Sequence, residues 1–283
     1  ILLENLRFHA EEENNDPLFS RALASLADVY VNDAFGAAHR AHASTAGMAA
    51  FFEVKAAGLL LQRELNYLSR VLLTPEKPFI AILGGAKVSD KIGVIKNLLP
   101  KLDALLIGGG MAYTFLKANG VNIGLSLVEQ DKIPVAKELM ADAIATGVKI
   151  LLPTDHLTGD ENKKNPSTSD INIAKGRMGL DVGPQTIRQF VAEIGKSKMV
   201  LWNGPVGLFE IEPFDQGSKA LAQALAARRS DIVSIIAGGD TVAAVTAAGV
   251  ADDITHLSTG GGATLEFLEG RELPGIKALE KSA

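Results

Sequence analysis

The sequence has no cysteine. Disulfide bonds and thiolate catalysis are therefore excluded, and a reducing compartment fits. No apolar run approaches the roughly 20 residues of a membrane-spanning helix, so no membrane role is expected. A formal net charge of −5 without a basic stripe argues against a nucleic-acid partner. There is no GxxxxGK followed by Ser or Thr, so this is not a P-loop protein, and no GxGxxG follows a strand-like run, so the dinucleotide fingerprint is missing. No secretory signal is visible. There is no initiator methionine either: the chain opens ILLENLRF, already inside an apolar run that reads as a strand. We expect it to be a piece of something longer.

What is present is a chain of 283 residues, 47% hydrophobic, enough for a sizeable core in one large domain or two ordinary ones. From residue 79 a pattern repeats. Short apolar runs at 79–83, 104–107, 148–152, 199–202, 232–236 and 254–257 alternate with helix-like segments such as IPVAKELMADAIATG and SKALAQALAARR. Near-continuous apolar strands between helices predict a parallel sheet covered on both faces. All but the run at 148–152 lead into a glycine-containing loop. One such loop is ordinary turn geometry. Several on the carboxyl edge of one sheet, where α/β proteins bind ligands, point to an extended phosphate-bearing ligand.

Residues 1–58 read differently. LLENLRF and DVYVND look like strands, with PLFSRALASLA helical between them. AGLLLQRELNYLSRVLLT, 57–74, has the apolar spacing of a long helix, closed off by Pro75 and Pro78. A domain boundary is read here, with this helix either a connector between domains or an ordinary core helix. EEENND, 11–16, reads as a solvated loop, and the polar stretch 154–176 as a surface excursion with little chemistry, His156 included.

The chemistry-bearing residues cluster in these loops. GGAKVSDK, 84–91, spaces Lys87 and Lys91 four apart. If a helix starts after Gly85 they share a face, where an anion would relieve their repulsion. GGDT, 238–241, places Asp240 where it either caps a helix or serves Mg²⁺ beside phosphates. In WNGPVGLFE, 202–210, Glu210 is a candidate acceptor for ribose hydroxyls, and Trp202 is expected in the core. In NDAFGAAHRAHAST, Arg40 stands among small residues that leave room for an anion, and Arg7 is a second candidate. His39 and His42 lack an evident third metal ligand. In HLSTGGGATLEFL, Gly260, Gly261 and Gly262 precede a helix; bare backbone at a helix start offers N–H groups to phosphate.

LLENLRF, VNDAFGAAHRAHAS, ILGGAKVSDKI, IGGGMAYTF, LWNGPVGLFE, GGDT and HLSTGGGATLEFLEG, in this order, resemble the phosphoglycerate kinase family, closest to its bacterial forms. The resemblance runs from the first residue to near the last. It implies an α/β, two-domain, hinge-bending cytoplasmic enzyme of glycolysis, by family default a monomer, with parallel Rossmann-like sheets covered by helices. The activity implied is reversible phosphoryl transfer between 1,3-bisphosphoglycerate and Mg·ADP, giving 3-phosphoglycerate and ATP. The domains expected are 1–58, with 270–283 returning to it, as the remainder of the acid-binding domain; 59–75 as connecting helix; and 76–269 as the nucleotide domain.

Carried over by position, the resemblance puts Lys87 and Lys91 at the phosphates and Gly260, Gly261 and Gly262 at the group in transfer. Gly109 and Gly110 would line the adenine side with Gly183 nearby, Glu210 would hold the ribose and Asn203 would reach the phosphate tail. Gly238, Gly239, Asp240 and Thr241 form the Mg²⁺ loop, with Asp240 serving the metal, and Arg7 and Arg40 hold 3-phosphoglycerate. The family's DxN and SHxGRP motifs, and the arginine it counts as essential, have no counterpart in these residues. The first domain is thus expected to be incomplete, with apolar sheet surface exposed, and the chain to bind nucleotide with poor or no turnover. A non-catalytic nucleotide-binding module is the alternative reading; an NAD-dependent oxidoreductase is disfavoured by the missing fingerprint.

Overall fold

A computed structural model describes residues 1–280. Their contacts divide into two compact units, Ile1–Arg70 with the chain from Thr259 onward, and Val71–Ser258. The expected boundaries were after residues 58, 75 and 269. The contacts instead change hands after Arg70, inside the long helix, and after Ser258; residues 281–283 of the expected returning segment lie outside the described residues.

The first unit carries helices α1 (Ala10–Glu13) and α2 (Pro17–Ala24), strands β1 (Tyr30–Asn32) and β2 (Lys55–Ala57), and the start of α3 (Leu59–Leu73). β1 and β2 pair in parallel, Tyr30 opposite Lys55. Tyr30, Ala49 and Phe52 form a small core, while Val31 of β1, and Val29 and Val54 just before the two strands, remain exposed.

Two expectations fail here. LLENLRF is not a strand: Leu6–Phe8 form a 3₁₀ turn, because the Asn5 side chain accepts from the Arg7 N–H and folds the chain back. EEENND is not merely solvated. Asp16 caps α2 through the Leu18 and Phe19 N–H groups at 2.9 and 2.8 Å. Glu12 is buried, accepting from the Ser44 N–H at 2.9 Å and its hydroxyl at 2.5 Å.

The second unit contains β3 (Phe79–Leu83), α4 (Ile92–Leu98), β4 (Ala104–Ile107), α5 (Ala112–Ala118), α6 (Ile133–Thr146) and β5 (Lys149–Leu151). There follow β6 (His156–Gly159), β7 (Ser167–Ser169), β8 (Met178–Val182), α7 (Pro184–Ile194), β9 (Met199–Asn203), α8 (Gln216–Ala226), β10 (Val233–Ala237), α9 (Gly239–Ala247) and β11 (His256–Leu257). α10 (Gly262–Leu268) and α11 (Pro274–Lys277) belong to the first unit.

Six strands make one parallel sheet, in the order β11-β10-β9-β3-β4-β5. Ile80, Ile82, Val200, Trp202 and Ile236 turn one face toward Phe190, Leu221, Leu225 and Val245 of α7, α8 and α9. Ala81, Leu105, Leu201 and Ile235, on the other face, are fully buried as well. Burial on both sides is why these runs lack polar alternation. Strand order reverses between β3 and β9, the switch point where open α/β sheets form a crevice beyond their carboxyl ends.

Stretch 154–176 departs from the surface excursion expected of it. It supplies β6 and β7, which with β8 form a three-stranded antiparallel sheet, β7-β6-β8. No helix among the described residues is long and apolar enough to cross a membrane.

Candidate functional site

A cleft of about 310 Å³ opens at the switch point of the Val71–Ser258 unit. Its walls come from four sheet-edge segments: Gly85–Ala86 after β3, Gly109–Gly110 after β4, the 205–210 loop after β9, and Asp240 in the first turn of α9. The small antiparallel sheet adds Met178, Gly179 and Leu180, and the β6–β7 hairpin adds Lys163.

Glycine is required where these loops meet. Gly109 has φ +63°, and a Cβ there would lie 2.6 Å from the Gly85 nitrogen and 2.7 Å from the Pro205 oxygen. The loops are stitched by backbone bonds: Gly85 N–H to the Pro205 carbonyl at 2.9 Å and Gly109 N–H to the Val206 carbonyl at 3.0 Å. A flat ligand face can therefore lie directly against main chain. Tyr113 stands behind the same wall, its ring 5.4 Å from that of His156 and its hydroxyl where a side chain at Gly179 would be. Burial, and next the charge of Asp181, push the Tyr113 phenol up, so it stays neutral.

Beside the cleft, the Lys91 ammonium donates to the Asn203 side-chain oxygen, and the Asn203 amide donates to the Ala237 carbonyl at 2.8 Å. Lys91 and Asn203 are both buried. Burial pulls the Lys91 ammonium down to about 8, against the opposing pull of Asp90 and Asp240. Thr241 is fully buried one residue beyond Asp240; its hydroxyl accepts from the Gly204 N–H at 2.7 Å and donates to the Ala237 carbonyl at 2.9 Å. The carboxyl ends of β9 and β10 and the start of α9 are thereby tied together.

Several details differ from the sequence reading. Helix α4 starts at Ile92, so Lys87 and Lys91 do not share a helix face: Lys91 closes a Val88–Lys91 turn by donating its N–H to the Val88 carbonyl at 2.8 Å, and Lys87 precedes that turn and is exposed. Asp240 does not cap α9. Gly238, at φ +90°, takes that position, and Asp240 is left exposed at the cleft. Gly183 is not on the cleft wall. It starts α7, with its N–H donating to the Asp155 carbonyl at 2.9 Å and its open side filled by the Asp155 carboxylate.

The structure thus gathers Gly109, Gly110, Glu210 and Asp240 on the cleft, with Lys91, Asn203, Gly238, Gly239 and Thr241 in the loops that build it. Gly260, Gly261, Gly262, Arg7 and Arg40 belong to the other unit. There Gly260 packs on Phe35, and a Cβ at Gly262 would come within 3.4 Å of His39 Nε2. Thr259, just before them, donates its N–H and hydroxyl to Glu64 at 2.7 and 2.8 Å. Arg7 and Arg40 are exposed, and Arg40 Nε lies 3.5 Å from His39 Nε2.

Three contributors had gone unnoticed. Tyr113 lies within IGGGMAYTF but was given no role there, and Lys163 carries no local motif. Asp181 does not either: it is buried under the 205–210 loop, accepting from Gly217 and Val182 N–H groups at 2.7 and 2.8 Å. Burial pushes its carboxyl up to about 8, against those two donors.

A family model described as phosphoglycerate kinase matches residues 1–271. A phosphoglycerate kinase from Koribacter versatilis is 58% identical over 99% of this chain and 70% of its own length. One from Anaeromyxobacter sp. (strain K) is 56% identical over 99% of this chain and 71% of its own. The solved structure of phosphoglycerate kinase from Coxiella burnetii superposes with a TM-score of 0.92 at 44% identity, covering 99% of this chain and 72% of that one.

Proposed function

The chain belongs to the phosphoglycerate kinase family, kinases that transfer phosphate to a carboxyl group, and from that premise we propose that its cleft binds Mg·ADP and Mg·ATP. The reaction read from it is reversible. A terminal phosphate oxygen of ADP attacks the acyl phosphate of 1,3-bisphosphoglycerate. The bond from phosphorus to the acyl oxygen breaks, and 3-phosphoglycerate leaves as a carboxylate. Such a transfer needs positioning and neutralisation of spread negative charge more than covalent help.

The residues divide this work by position. The backbone wall at Gly109 and Gly110 takes the base, and the Glu210 carboxylate accepts from ribose hydroxyls. Lys87 and Lys91 neutralise the phosphates, with Asn203 keeping the Lys91 ammonium at the cleft's edge. In the other unit, Arg7 and Arg40 hold the acid substrate as forked donors, and the Gly260–Gly262 run offers backbone N–H groups to phosphoryl oxygens. The observation that carries the nucleotide reading is the Lys91–Asn203 contact beside a glycine-walled cleft at the switch point.

The donor set suits Mg²⁺ that arrives with the nucleotide. Asp240 is exposed at the cleft, and among the described residues no group of three or more His, Cys, Asp or Glu side chains can hold a metal by itself. Magnesium favours one or two carboxylates plus phosphate oxygens. Bound there, it supplies charge neutralisation on the phosphates.

These 283 residues carry two of the family's acid-substrate arginines and no SHxGRP motif, so we propose nucleotide binding with poor turnover for the chain by itself. Calorimetric titration with Mg·ADP and then 3-phosphoglycerate tests this. Binding of ADP with little binding of the acid supports it. Binding of neither rejects the nucleotide reading, and turnover comparable to a full-length relative rejects the functional limit.

A further inference from the structure

The Val88–Lys91 turn, which follows Lys87 and ends on Lys91, is held from outside. Glu129 lies some forty residues downstream, in the segment before α6, and its side chain is half-buried. One carboxylate oxygen, Oε2, accepts from two successive backbone N–H groups of the lysine turn, Val88 at 2.5 Å and Ser89 at 3.1 Å. Glu129 is fixed in turn: its own N–H donates to the hydroxyl of buried Thr114 at 3.1 Å, on the helix that follows Gly109 and Gly110. Two residues before it, Leu127 lines the cleft. The path from Glu129 to the lysine is short and direct. The Val88 carbonyl, in the residue whose N–H Glu129 holds, accepts from the Lys91 N–H at 2.8 Å, and Lys91 reaches Asn203 from there.

Successive backbone N–H groups aimed at one point form a concave anion site. In this chain Glu129 fills it. The two N–H groups are thus not free for a ligand phosphate, and the loop must meet phosphates with its lysine side chains and glycine backbone. The hydrogen bonds from Val88 and Ser89 also hold the Glu129 carboxyl below its ordinary range against the effect of burial, so it is an anion throughout the neutral range.

We propose that Glu129 is a positioning residue for nucleotide phosphates: it fixes the Val88–Lys91 turn so that Lys91 is presented at the cleft, and it touches no ligand itself. This rests on the nucleotide reading of the cleft above. A residue that merely stabilised the fold would, when removed, weaken every ligand alike. A residue acting through Lys91 weakens the phosphate end alone.

The experiment compares wild type, Glu129→Ala, Glu129→Gln, Lys91→Ala and the Glu129→Ala/Lys91→Ala double variant, titrated with adenosine and with Mg·ATP. The expected result is a loss of about tenfold in Mg·ATP affinity for Glu129→Ala, with adenosine affinity unchanged within about twofold. Glu129→Gln, which keeps an acceptor oxygen, restores most of the loss. In the Lys91→Ala background the second substitution costs nothing further, because the coupling runs through Lys91. Equal losses for both ligands, an additive double variant, or no rescue by Gln each overturns the proposal. Amide hydrogen exchange gives a readout independent of nucleotide: Val88 and Ser89 must exchange faster in Glu129→Ala, and unchanged protection overturns the proposal even in a chain that binds no nucleotide. Wild type failing to bind Mg·ATP while those amides lose protection in the variant would reject both the functional reading and the role assigned to Glu129 in it.

Discussion

The Lys91 ammonium and the Asn203 side-chain oxygen meet where the sheet's strand order reverses, one residue on the turn after β3 and the other at the end of β9. Both are buried, so the contact is made away from bulk water. Its acceptor is a neutral amide, which satisfies the ammonium's geometry without cancelling its charge. A cation held in this way is poised for an anionic ligand.

That arrangement has a pH signature. Burial places the Lys91 ammonium at about 8, so it loses its proton as pH rises through that value. A bound phosphate favours the charged form, so nucleotide affinity falls as pH rises through about 8, and binding takes up protons around that pH. The stability effect has the opposite slope. Between about 8 and the unfolded value near 10.5 the unfolded chain holds the extra proton, so in that window this group makes the fold more stable as pH rises. Calorimetry in buffers of different ionisation heat reads the proton uptake. Identical heats across buffers near pH 8 would remove Lys91 from the binding site.

Thr241 tests the connection between the loops. Its hydroxyl is a fully buried link from Gly204 to Ala237. Thr241→Val removes the link at nearly constant volume and leaves the Gly204 N–H without its acceptor, at a cost of about 1–3 kcal/mol. Since Gly204 opens the loop that carries Glu210, Mg·ADP affinity falls as well, and Thr241→Ser recovers both. Chemical denaturation and titration of the two variants check this; Thr241→Ser behaving like Thr241→Val would show that the methyl group, not the hydroxyl, matters.

The strands were legible because burial on both faces leaves an unbroken apolar run: β3 and β4 coincide with FIAIL and ALLI to the residue. The antiparallel sheet was not, because β6 and β7 are HLTG and STS, short and polar with no apolar alternation to read. Its hairpin and β8 nonetheless supply Lys163, Gly179 and Leu180 to the cleft. Lys87 and Lys91 do not share the helix face expected of them, since residue spacing alone cannot distinguish a helical turn from the Val88–Lys91 turn held by Glu129. Glu129, Tyr113 and Asp181 act across long sequence separations, and such pairings leave no local pattern.

Gly183 separates family position from local packing. The Asp155 carboxylate fills the space a side chain would need there and caps α7, accepting from the Gln185 and Thr186 N–H groups at 2.8 and 2.7 Å. Gly183→Ala should therefore displace the cap and destabilise the protein by about 1–2 kcal/mol, while the folded fraction binds Mg·ADP normally. Thermal melts with and without ADP distinguish the cases. A weakened ADP affinity in fully folded Gly183→Ala would restore the glycine to the nucleotide site.

Arg40 provides the test on the acid-binding side. Its backbone is fixed without help from its side chain: the N–H donates to the Ala37 carbonyl at 3.0 Å, and its own carbonyl accepts from the Thr45 hydroxyl at 2.7 Å. The side chain is exposed and touches His39 only at the limit of a hydrogen bond, 3.5 Å. Arg40→Ala should therefore leave the fold intact. If the guanidinium forms charge-assisted bonds with 3-phosphoglycerate, its loss costs about 1.5–3 kcal/mol, roughly ten- to a hundredfold in affinity. Mg·ADP affinity, which we propose resides in the Val71–Ser258 unit, should not change. Arg40→Lys keeps the charge but loses the fork, so it should recover only part of the acid affinity. Titration of the three proteins with both ligands decides: a matched fall for acid and nucleotide would mean that Arg40 supports the fold, and an unchanged acid affinity would mean that it does not touch the substrate.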